Sequence, residues 1–551
     1  MKPLPLLPLA ALALAACAPA RSTAPAPAPA PVPAPVSAAP AAPLREAPRN
    51  WQLLDEAADN VPGISALRAE RELLAGRTPK RTVVVAVIDG GVDTSHADLR
   101  ANLWTNARET AGNGRDDERN GYADDVRGWN FIGGKGGKDV GPDTYEVTRL
   151  YVRCTGGASA GTVLKTLPAD ERVRCAQIVE DFRRERAEAE QTLEQVRAIG
   201  QVLDRAVPIL RQALGGDSVT LERVSGLQPK SEVEQQARGF YLQLAASGIT
   251  PESLGEALEA YTSRVEYGLN PDFNPRPIVG DDPANLAQRD YGNADVTGPD
   301  AMHGTHVSGI IGAVRGNGVG IDGVASAVRI MPVRAVPDGD ERDKDIANAI
   351  RYAVDNGAQI INMSFGKGYS PQKGAVDDAV KYADARGVLM VHAAGNDGAD
   401  LAEKANFPTA TYLSGGRAQN WIEVGASSWR GGDSLVATFS NYDSTQVDVF
   451  APGVDILSTV PGGGYKRESG TSMAAPVVTG LAAMLMSYYP SLTASDVKRI
   501  ILTSAVRRAD QMVLRPGGGP RVRFGSLSAT GGIVNAYAAV KLAEETTQIR
   551  P

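Results

Sequence analysis

The chain has 551 residues, of which 43% are hydrophobic and 22% are charged, so it is long and apolar enough to bury a sizeable core. Its formal net charge of −7 opposes binding to the phosphate backbone of a nucleic acid. Only 5% of its residues are aromatic, which leaves few side chains for stacking on single-stranded bases. We therefore expect no nucleic-acid partner.

The N-terminus carries an export signal. Lys2 precedes an apolar run at 4–16 that is too short to span a bilayer and is typical of a signal peptide. The run ends in Leu-Ala-Ala-Cys17, which resembles the bacterial lipobox and implies cleavage before Cys17 and lipidation of that cysteine. Because Ala18 is not the Asp of an inner-membrane signal, we expect an outer-membrane lipoprotein that faces the periplasm or the cell surface. The alternative is secretion without a lipid.

A tether and two further cysteines suit the same compartment. Residues 18–48 are almost all Pro, Ala, Val and Ser, a composition that predicts an extended, semi-rigid segment without a core. The chain has three cysteines, and lipidation of Cys17 leaves Cys154 and Cys175. These two can form a disulfide in an oxidising compartment, although their separation along the chain does not by itself show that they do.

Short apolar runs alternate with helical stretches through most of the remaining chain. We predict buried strands at 82–88, 328–333, 360–363, 388–393, 422–426 and 447–450, with helices at 345–356 and 375–386 among them. This alternation predicts a three-layer α/β fold, in which a parallel sheet carries helices on both faces. Ligands of such folds bind at the carboxyl ends of the strands, and Asp89 and Asn396 lie just beyond two of these runs.

Residues 135–275 depart from this alternation and predict a helical insertion. Apolar residues at 182–214 recur every three, four or seven positions, the pattern of an amphipathic helix. Arg186 and Gly200 interrupt the pattern, and Pro208 is expected to kink or end the helix. Further helices are predicted at 232–246 and 251–266. We favour a packed helical subdomain, and the alternative is a lid or substrate-selecting arm.

Four polar motifs stand at the ends of apolar segments. Asp89 follows the first strand, His303 stands beside a glycine at a predicted turn, Asn396 follows the fourth strand, and Ser472 precedes an apolar run at 473–489 that predicts a buried helix. Each motif alone has a structural explanation, such as a turn residue or a helix cap. His303 and His306 could also bind a metal, but the zinc motif HExxH is absent. We assign the other histidines to packing: His96, His306 and His392.

The four motifs together, in the order Asp, His, Ser along the chain, resemble the subtilisin-like (subtilase, S8-type) serine peptidases. The resemblance extends over 50–134 and 276–545, and the N-terminus places the chain in a bacterial lipoprotein branch. It implies that Asp89 orients His303, that His303 is the general base and that Ser472 is the nucleophile. The side-chain amide of Asn396 and the backbone N–H of Ser472 would stabilise the oxyanion.

The same resemblance implies a substrate groove. Its edges and the primary pocket are expected to be formed by two segments, Ser364-Phe365-Gly366 and Ala393-Ala394-Gly395. A glycine-lined pocket with one aromatic wall favours a large apolar side chain before the scissile bond. Lys367, which follows directly, leaves this preference open.

Calcium is the cofactor that the resemblance implies. Asp98 and Asn317 match positions of a family calcium site, to which a loop at 315–321 would add backbone carbonyls, and hard oxygen ligands suit Ca²⁺. An acidic loop is the second candidate, with Asp116, Asp117, Asn120, Asp124 and Asp125. Acidic runs are more often only solvated surfaces.

We expect a membrane-anchored serine endopeptidase whose partners are polypeptide substrates and, through its lipid, the membrane. One alternative is a dedicated maturation protease for a surface protein. Another is a catalytically silent surface binding protein on the same scaffold. Two domains are expected, a peptidase domain at 49–134 and 276–545 and the helical insertion at 135–275.

Overall fold

A computed structural model describes residues 46–157, 162–216 and 218–549. The expected signal peptide at 1–17, lipidated Cys17 and most of the tether at 18–48 lie outside the described residues.

A nine-stranded sheet organises the fold. Its strand order is β10-β13-β7-β6-β5-β4-β1-β3-β2, and every neighbouring pair is parallel except β10 and β13. Its strands are β1 (Val83–Asp89), β2 (Trp129–Asn130), β3 (Val328–Arg334), β4 (Ile360–Met363), β5 (Leu389–Ala393), β6 (Trp421–Ser427), β7 (Val449–Pro452), β10 (Val506–Arg507) and β13 (Gly532–Ile533). Two hairpins lie apart, β8 (Ile456–Val460) with β9 (Gly464–Glu468), and β11 (Met512–Val513) with β12 (Val522–Arg523).

Thirteen α-helices are described. Those of the insertion are α3 (Glu146–Thr155), α4 (Ala169–Ala213), α5 (Leu221–Gly226), α6 (Glu232–Ala246) and α7 (Pro251–Ser263). The others are α1 (Glu56–Asp59), α2 (Ala66–Glu72), α8 (Met302–Gly312), α9 (Asp343–Asp355), α10 (Lys373–Ala385), α11 (Thr471–Tyr488), α12 (Ala494–Thr503) and α13 (Ala536–Ile549). Within the described ranges, one helix, α11, is long and apolar enough to span a bilayer, but 89% of it is buried inside the protein.

Helices cover both faces of the sheet. On one face, α8 and α11 pack on the central strands in a core that also takes in α2, α12 and α13. On the other face, α9 and α10 pack in a second core. The predicted three-layer α/β fold is thus confirmed. Alternate residues of each buried strand face opposite cores, so these strands are apolar on both sides, as parallel sheets require.

The insertion is a packed helical subdomain with two apolar clusters of its own. In the first, the rings of Tyr151 on α3 and Phe182 on α4 stack 4.1 Å apart. A disulfide joins the same two helices through Cys154 and Cys175, whose Cα atoms are 5.4 Å apart. In the second cluster, the later half of α4 packs on α5, α6 and α7.

Helix α4 runs for 45 residues and does not end at Pro208. The residues on either side of the proline explain this, because Ala206 and Leu210 are buried in the second cluster. Their packing offsets the backbone hydrogen bond that proline removes. Of the two expected effects of Pro208, a kink or an end of the helix, the end is wrong, because tertiary packing outweighs local propensity.

Buried ion pairs fasten both ends of the insertion to the core. At its entry, Asp143 binds Arg342 at 3.0 Å, and Glu146 binds Lys367 at 3.0 Å. At its exit, Arg276 lies 2.6 Å from a carboxylate oxygen of Asp345 on α9. Val140, just inside the predicted insertion at 135–275, packs in the second core, and the helices of the insertion begin at Glu146.

Replacement of Lys367 tests whether these buried ion pairs hold the insertion to the core. Burial acts to raise the pKa of Glu146, but the charges of Arg149 and Lys367 outweigh it and hold that pKa at about 2. Lys367→Ala removes one of the two cations from this nearly inaccessible carboxylate, and we expect a loss of about 3–5 kcal/mol in the free energy of unfolding.

The matched control is Lys381→Ala, because Lys381 makes an exposed pair with Asp378 at 3.7 Å. Its cost should stay below about 1 kcal/mol. Denaturant unfolding of both variants measures the difference, and equal losses would contradict a fastening role for Lys367.

Candidate active site

The four motif residues all lie at the carboxyl edge of the sheet. Asp89 ends β1, Asn396 follows β5 by three residues, His303 lies in the first turn of α8, and Ser472 lies in the first turn of α11. The sequence placed His303 at a turn, whereas the structure places it on a helix. Beside them is a cavity of about 240 Å³ that Asn396 and Ser472 both line.

Asp89 and His303 form a close pair. The Nδ1 atom of His303 lies 2.8 and 3.0 Å from the two carboxylate oxygens of Asp89. Asp89 is 3% exposed, whereas the His303 side chain is 39% exposed. A carboxylate only accepts, so Nδ1 carries the hydrogen in this pair, and in the neutral ring Nε2 is left to act as a base.

A glycine allows this approach. A Cβ atom on Gly304 would come within 2.2 Å of the carbonyl oxygen of Gly91 and 3.1 Å of the Cβ of Asp89. Any larger residue would push α8 away from the end of β1. The glycine that follows His303 in the sequence is therefore required by the contact between the histidine and the aspartate.

The Ser472 hydroxyl has a different partner from the one that the resemblance implies. Its Oγ donates to the carbonyl oxygen of Ser364 at 3.1 Å, and the Ser364 hydroxyl donates back to the carbonyl of Ser472 at 3.0 Å. Within the described residues, no hydrogen bond joins Ser472 to His303. Catalytic hydrogen bonds often tighten only when substrate binds, so the implied triad would require the hydroxyl to exchange Ser364 for Nε2 of His303.

Asn396 is held through its amide oxygen, and its amide nitrogen has no acceptor within the described residues. Its Oδ1 accepts from the backbone N–H of Thr471 at 2.8 Å and from the Thr471 hydroxyl at 3.0 Å. A backbone N–H can only donate, so the atom facing it must be the oxygen, and Nδ2 remains for the cavity. At the start of α11, the N–H of Thr471 donates to Asn396 and that of Met473 to the carbonyl of Gly470, whereas the N–H of Ser472 has no hydrogen-bond partner within the described residues.

The expected substrate segments line the cavity, with one exception. The lining comprises Ser364, Phe365, Gly366, Ala393, Gly395, Asn396, Asp397, Asn406, Thr471 and Ser472. Ala394 was expected there, but it is fully buried in a third apolar core, because it alternates with Ala393 along the strand direction. Lys367 is also turned away and buried, so it does not enter the cavity.

Asn406 is a lining residue that the sequence did not reveal. It lies in a loop, its Nδ2 donates to the carbonyl of Ala393 at 3.1 Å, and its amide would lie within 2.3 Å of a Cβ on Gly366. Nothing in the local pattern marks it, since its role depends on two glycines that are distant in sequence.

Asp98 and Asn317 meet, but not as metal ligands. Asn317 donates through Nδ2 to Asp98 at 2.7 Å, and the N–H of Ile321 and the hydroxyl of Tyr465 donate to the other carboxylate oxygen at 3.0 and 3.3 Å. The Oδ1 of Asn317 accepts from the N–H of Val319. Donors rather than oxygen ligands therefore surround Asp98, which does not fit a cation in this arrangement.

The acidic loop brings a different set of carboxylates together. Glu109, Glu118 and Asp125 place one oxygen each within 4.8 Å of one another. Burial and, second, the interaction with Glu118 raise the pKa of Glu109 to about 7. Burial raises the pKa of Asp125 to about 6. Asp125 was in the predicted set, but the sequence missed the two glutamates.

The other predicted members of that loop hold its backbone instead. Asp116 accepts from the N–H groups of Asn120 and Gly121, and Asp124 accepts from those of Asn113 and Gly114. Asp117 accepts from the N–H of Thr110. Carboxylates that cap backbone N–H groups in this way order the loop and are not available as a group for a cation.

Sequence comparison identifies the family. The family model of the subtilases, Peptidase_S8, matches residues 80–519, which contain all four motif residues. The chain belongs to the subtilase family. It is 41% identical over 240 residues, 43% of this chain, to a thermophilic serine proteinase of Bacillus sp. (strain AK1), of which it covers 54%. It is 32% identical over 256 residues, 46% of this chain, to subtilisin DY of Bacillus licheniformis, of which it covers 86%.

The chain thus spans about half the length of the first of these relatives. Among solved structures, a protease of Pseudoalteromonas arctica PAMC 21717 matches 91% of this chain and 99% of its own, with 19% sequence identity and a TM-score of 0.46.

The pair of Asp89 and His303 makes a testable electrostatic prediction. Burial acts to lower the pKa of His303, but the charge and hydrogen bond of Asp89 outweigh it and raise that pKa above its ordinary value. Asp89→Asn should therefore lower the pKa of His303, measured by NMR titration of the ring protons. Glu468→Gln removes a weaker contribution and should lower it less. An unchanged pKa in Asp89→Asn would contradict the pairing.

Proposed function

We propose that this subtilase is a serine endopeptidase that hydrolyses polypeptides through Asp89, His303 and Ser472. The observation that carries the proposal is the pair of Asp89 and His303, which leaves Nε2 to act as a base at the same carboxyl edge of the sheet as the cavity that Ser472 lines. Relatives named as proteinases and subtilisins support it.

In the proposed reaction, Nε2 of His303 takes the hydroxyl proton as Oγ of Ser472 attacks the carbonyl carbon of the substrate. Asn396 Nδ2 and the backbone N–H of Ser472 donate to the oxyanion of the tetrahedral intermediate. As the C–N bond breaks, His303 returns the proton to the leaving amine. A water then attacks the acyl ester with the same base, and Ser472 regains its proton.

The cavity supports a preference for a large apolar side chain before the scissile bond. Its walls include Phe365 and two glycines, Gly366 and Gly395, and Lys367 does not reach it. Burial of such a side chain contributes about 1.5–3 kcal/mol to binding.

Removal of the nucleophile tests the proposal. Ser472→Ala should lower turnover of casein and of a chromogenic peptide on the order of 10⁶-fold, the loss known for the triad of subtilisin, a member of this family. Asn396→Ala should lose on the order of 10²–10³-fold in kcat, again the subtilisin value. Ser526→Ala, at an exposed serine, is the control and should retain full activity.

Substrate profiling with the same proteins separates the alternatives. Cleavage across a peptide library supports a general endopeptidase, whereas cleavage of one narrow sequence class supports a maturation protease. A folded parent protein that cleaves nothing would make the chain a silent binding protein on a subtilase scaffold.

We further propose that the three carboxylates Glu109, Glu118 and Asp125 hold a structural calcium ion. Ca²⁺ binds oxygens at about 2.3–2.6 Å, so ligands on opposite sides of one ion lie up to about 5 Å apart, which matches the cluster. The side chain of Glu118 is 6% exposed, and no hydrogen-bond partner of its Oε2 atom is found in the part of the chain that the structure describes. A cation would supply that partner and offset the repulsion among the three groups.

Calcium should therefore stabilise the protein, and a chelator should lower its melting temperature. Because the pKa values of Glu109 and Asp125 are raised in the fold, their ionisation without a cation costs stability as pH rises from about 4 to about 7. Calcium should cancel this loss. Glu118→Gln should abolish the response to calcium, whereas Asp98→Asn should retain it. The reverse result would restore the sequence-predicted site at Asp98 and Asn317.

We also propose export and anchoring through residues 1–17 and a lipid on Cys17, with 18–48 as the tether. The disulfide between Cys154 and Cys175 supports export, because such bonds persist in oxidising compartments. Cys17→Ser should move the protein from the outer-membrane fraction to the soluble fraction and prevent palmitate labelling. Ser37→Ala, a substitution within the tether, is the control. A Cys17→Ser protein that stays in the membrane would contradict the anchor.

A further inference from the structure

A buried histidine and glutamate lie behind the wall of the cavity and take no part in the proposed chemistry. His392 on β5 is fully buried, and its direct register partner on β6 is Glu423. Nδ1 of His392 lies 2.8 Å from Oε1 of Glu423, and Nε2 lies 2.9 Å from the carbonyl oxygen of Phe365. The second carboxylate oxygen of Glu423 accepts from the indole N–H of Trp421 at 2.8 Å.

The partners determine which ring nitrogen carries a hydrogen. The carbonyl of Phe365 can only accept, so Nε2 of His392 must donate to it. One further proton is then shared between Nδ1 and Glu423, either as an imidazolium with a carboxylate or as a neutral ring with a carboxyl. In both forms the pair has no net charge and keeps a donor directed at Phe365.

The Phe365 carbonyl belongs to the wall that borders the nucleophile. Phe365 lines the cavity between Ser364 and Gly366, and the preceding carbonyl, that of Ser364, accepts from the Ser472 hydroxyl. Since β4 ends at Met363, the wall lies beyond the backbone ladder of the sheet. Two of its carbonyl groups accept from side chains instead, that of Ser364 from Ser472 and that of Phe365 from His392.

His392 reaches this wall from the face of the sheet opposite α11. Its neighbours Val391 and Ala393 pack in the core that contains α11, so the alternation of the strand directs His392 to the other face. The wall is thus bonded from α11 through Ser364 and from β5 through Phe365.

The stability of the fold does not explain why two ionisable groups are buried here. Neighbouring positions of both strands are apolar, and well-packed apolar residues in place of a buried ion pair are often neutral or stabilising. The hydrogen bond to Phe365 is the contact that an apolar pair could not make.

We propose that His392 and Glu423 are positioning residues of the active site, which hold the Phe365 carbonyl and thereby fix the substrate-binding wall Ser364–Gly366. The inference rests on the proposed peptidase function, but it assigns a role that the triad does not include. Sequence reasoning had assigned His392 to packing.

Two substitutions of the same histidine test the role. In His392→Gln, the amide nitrogen lies close to the position of Nε2 and can still donate to Phe365. In His392→Asn, the shorter side chain reaches only the position of Nδ1 and loses that bond. Glu423→Gln can still accept from Trp421 and donate to Nδ1, which leaves Nε2 with its hydrogen.

Kinetics with a chromogenic peptide that has a large apolar residue before the scissile bond provide the first measurement. We expect His392→Asn to raise KM on the order of 10-fold, the effect of one unsatisfied buried carbonyl, with kcat within about 2-fold of the parent. His392→Gln and Glu423→Gln should keep KM within about 2-fold. Equal KM in His392→Asn and His392→Gln, with equal losses of melting temperature, would show a merely structural role and overturn the proposal.

Hydrogen exchange of the full-length protein, read by mass spectrometry on peptides that contain residues 364–366, provides a second measurement that does not depend on catalysis. His392→Asn should accelerate exchange in this segment, and His392→Gln should not. If the parent protein hydrolyses no peptide, the proposed function fails, and this comparison alone decides the positioning role. Unchanged exchange in His392→Asn would overturn it.

Discussion

The contact between Asp89 and His303 is the constraint on which the site depends. A carboxylate that is 3% exposed at the end of a central strand requires a donor, and α8 supplies it from its first turn. This is possible because Gly304 has no side chain to separate the helix from Gly91. The strand, the glycine and the histidine therefore act as one unit, and the orientation of the imidazole follows from backbone packing. Ser472 is positioned independently, by the helix α11 that packs on the neighbouring strands.

The cavity wall Ser364–Gly366 and the residue that follows it each contact a different part of the fold. Ser364 bonds to α11, Phe365 to His392, Gly366 packs closely on Asn406, and Lys367 pairs with Glu146 of the insertion. The insertion is thus connected to the substrate wall by a buried ion pair, although it folds around apolar clusters of its own. A substitution in the insertion near Glu146 can therefore affect the pocket through Lys367, the residue that follows Gly366.

Local sequence patterns located the strands and the four motif residues because burial on both faces of a parallel sheet requires continuous apolar runs. Polar residues at the ends of such runs then mark the carboxyl edge of the sheet. The same patterns could not locate Asn406, since its contacts are to glycines in two other segments. They predicted that Ala394 lines the cavity. Successive side chains point to opposite sides, so Ala394 packs in the third core while Ala393 and Gly395 line the cavity. They also paired Asp98 with Asn317 correctly in space, but could not show that the amide turns its donor, rather than its oxygen, toward the carboxylate.

The sequence by itself determined the family, the parallel α/β fold, the four polar residues at the carboxyl edge of the sheet and the existence of a helical insertion. These follow from residue type, periodicity and motif order, which are properties of short segments. Only the tertiary structure decided that Ser472 bonds to Ser364 rather than to His303, that α4 continues through Pro208, that Glu109 and Glu118 join Asp125, and that His392 supports Phe365. Each of these depends on hydrogen-bond direction or on packing between segments that are far apart in the chain, and such contacts leave no periodic signal in the sequence.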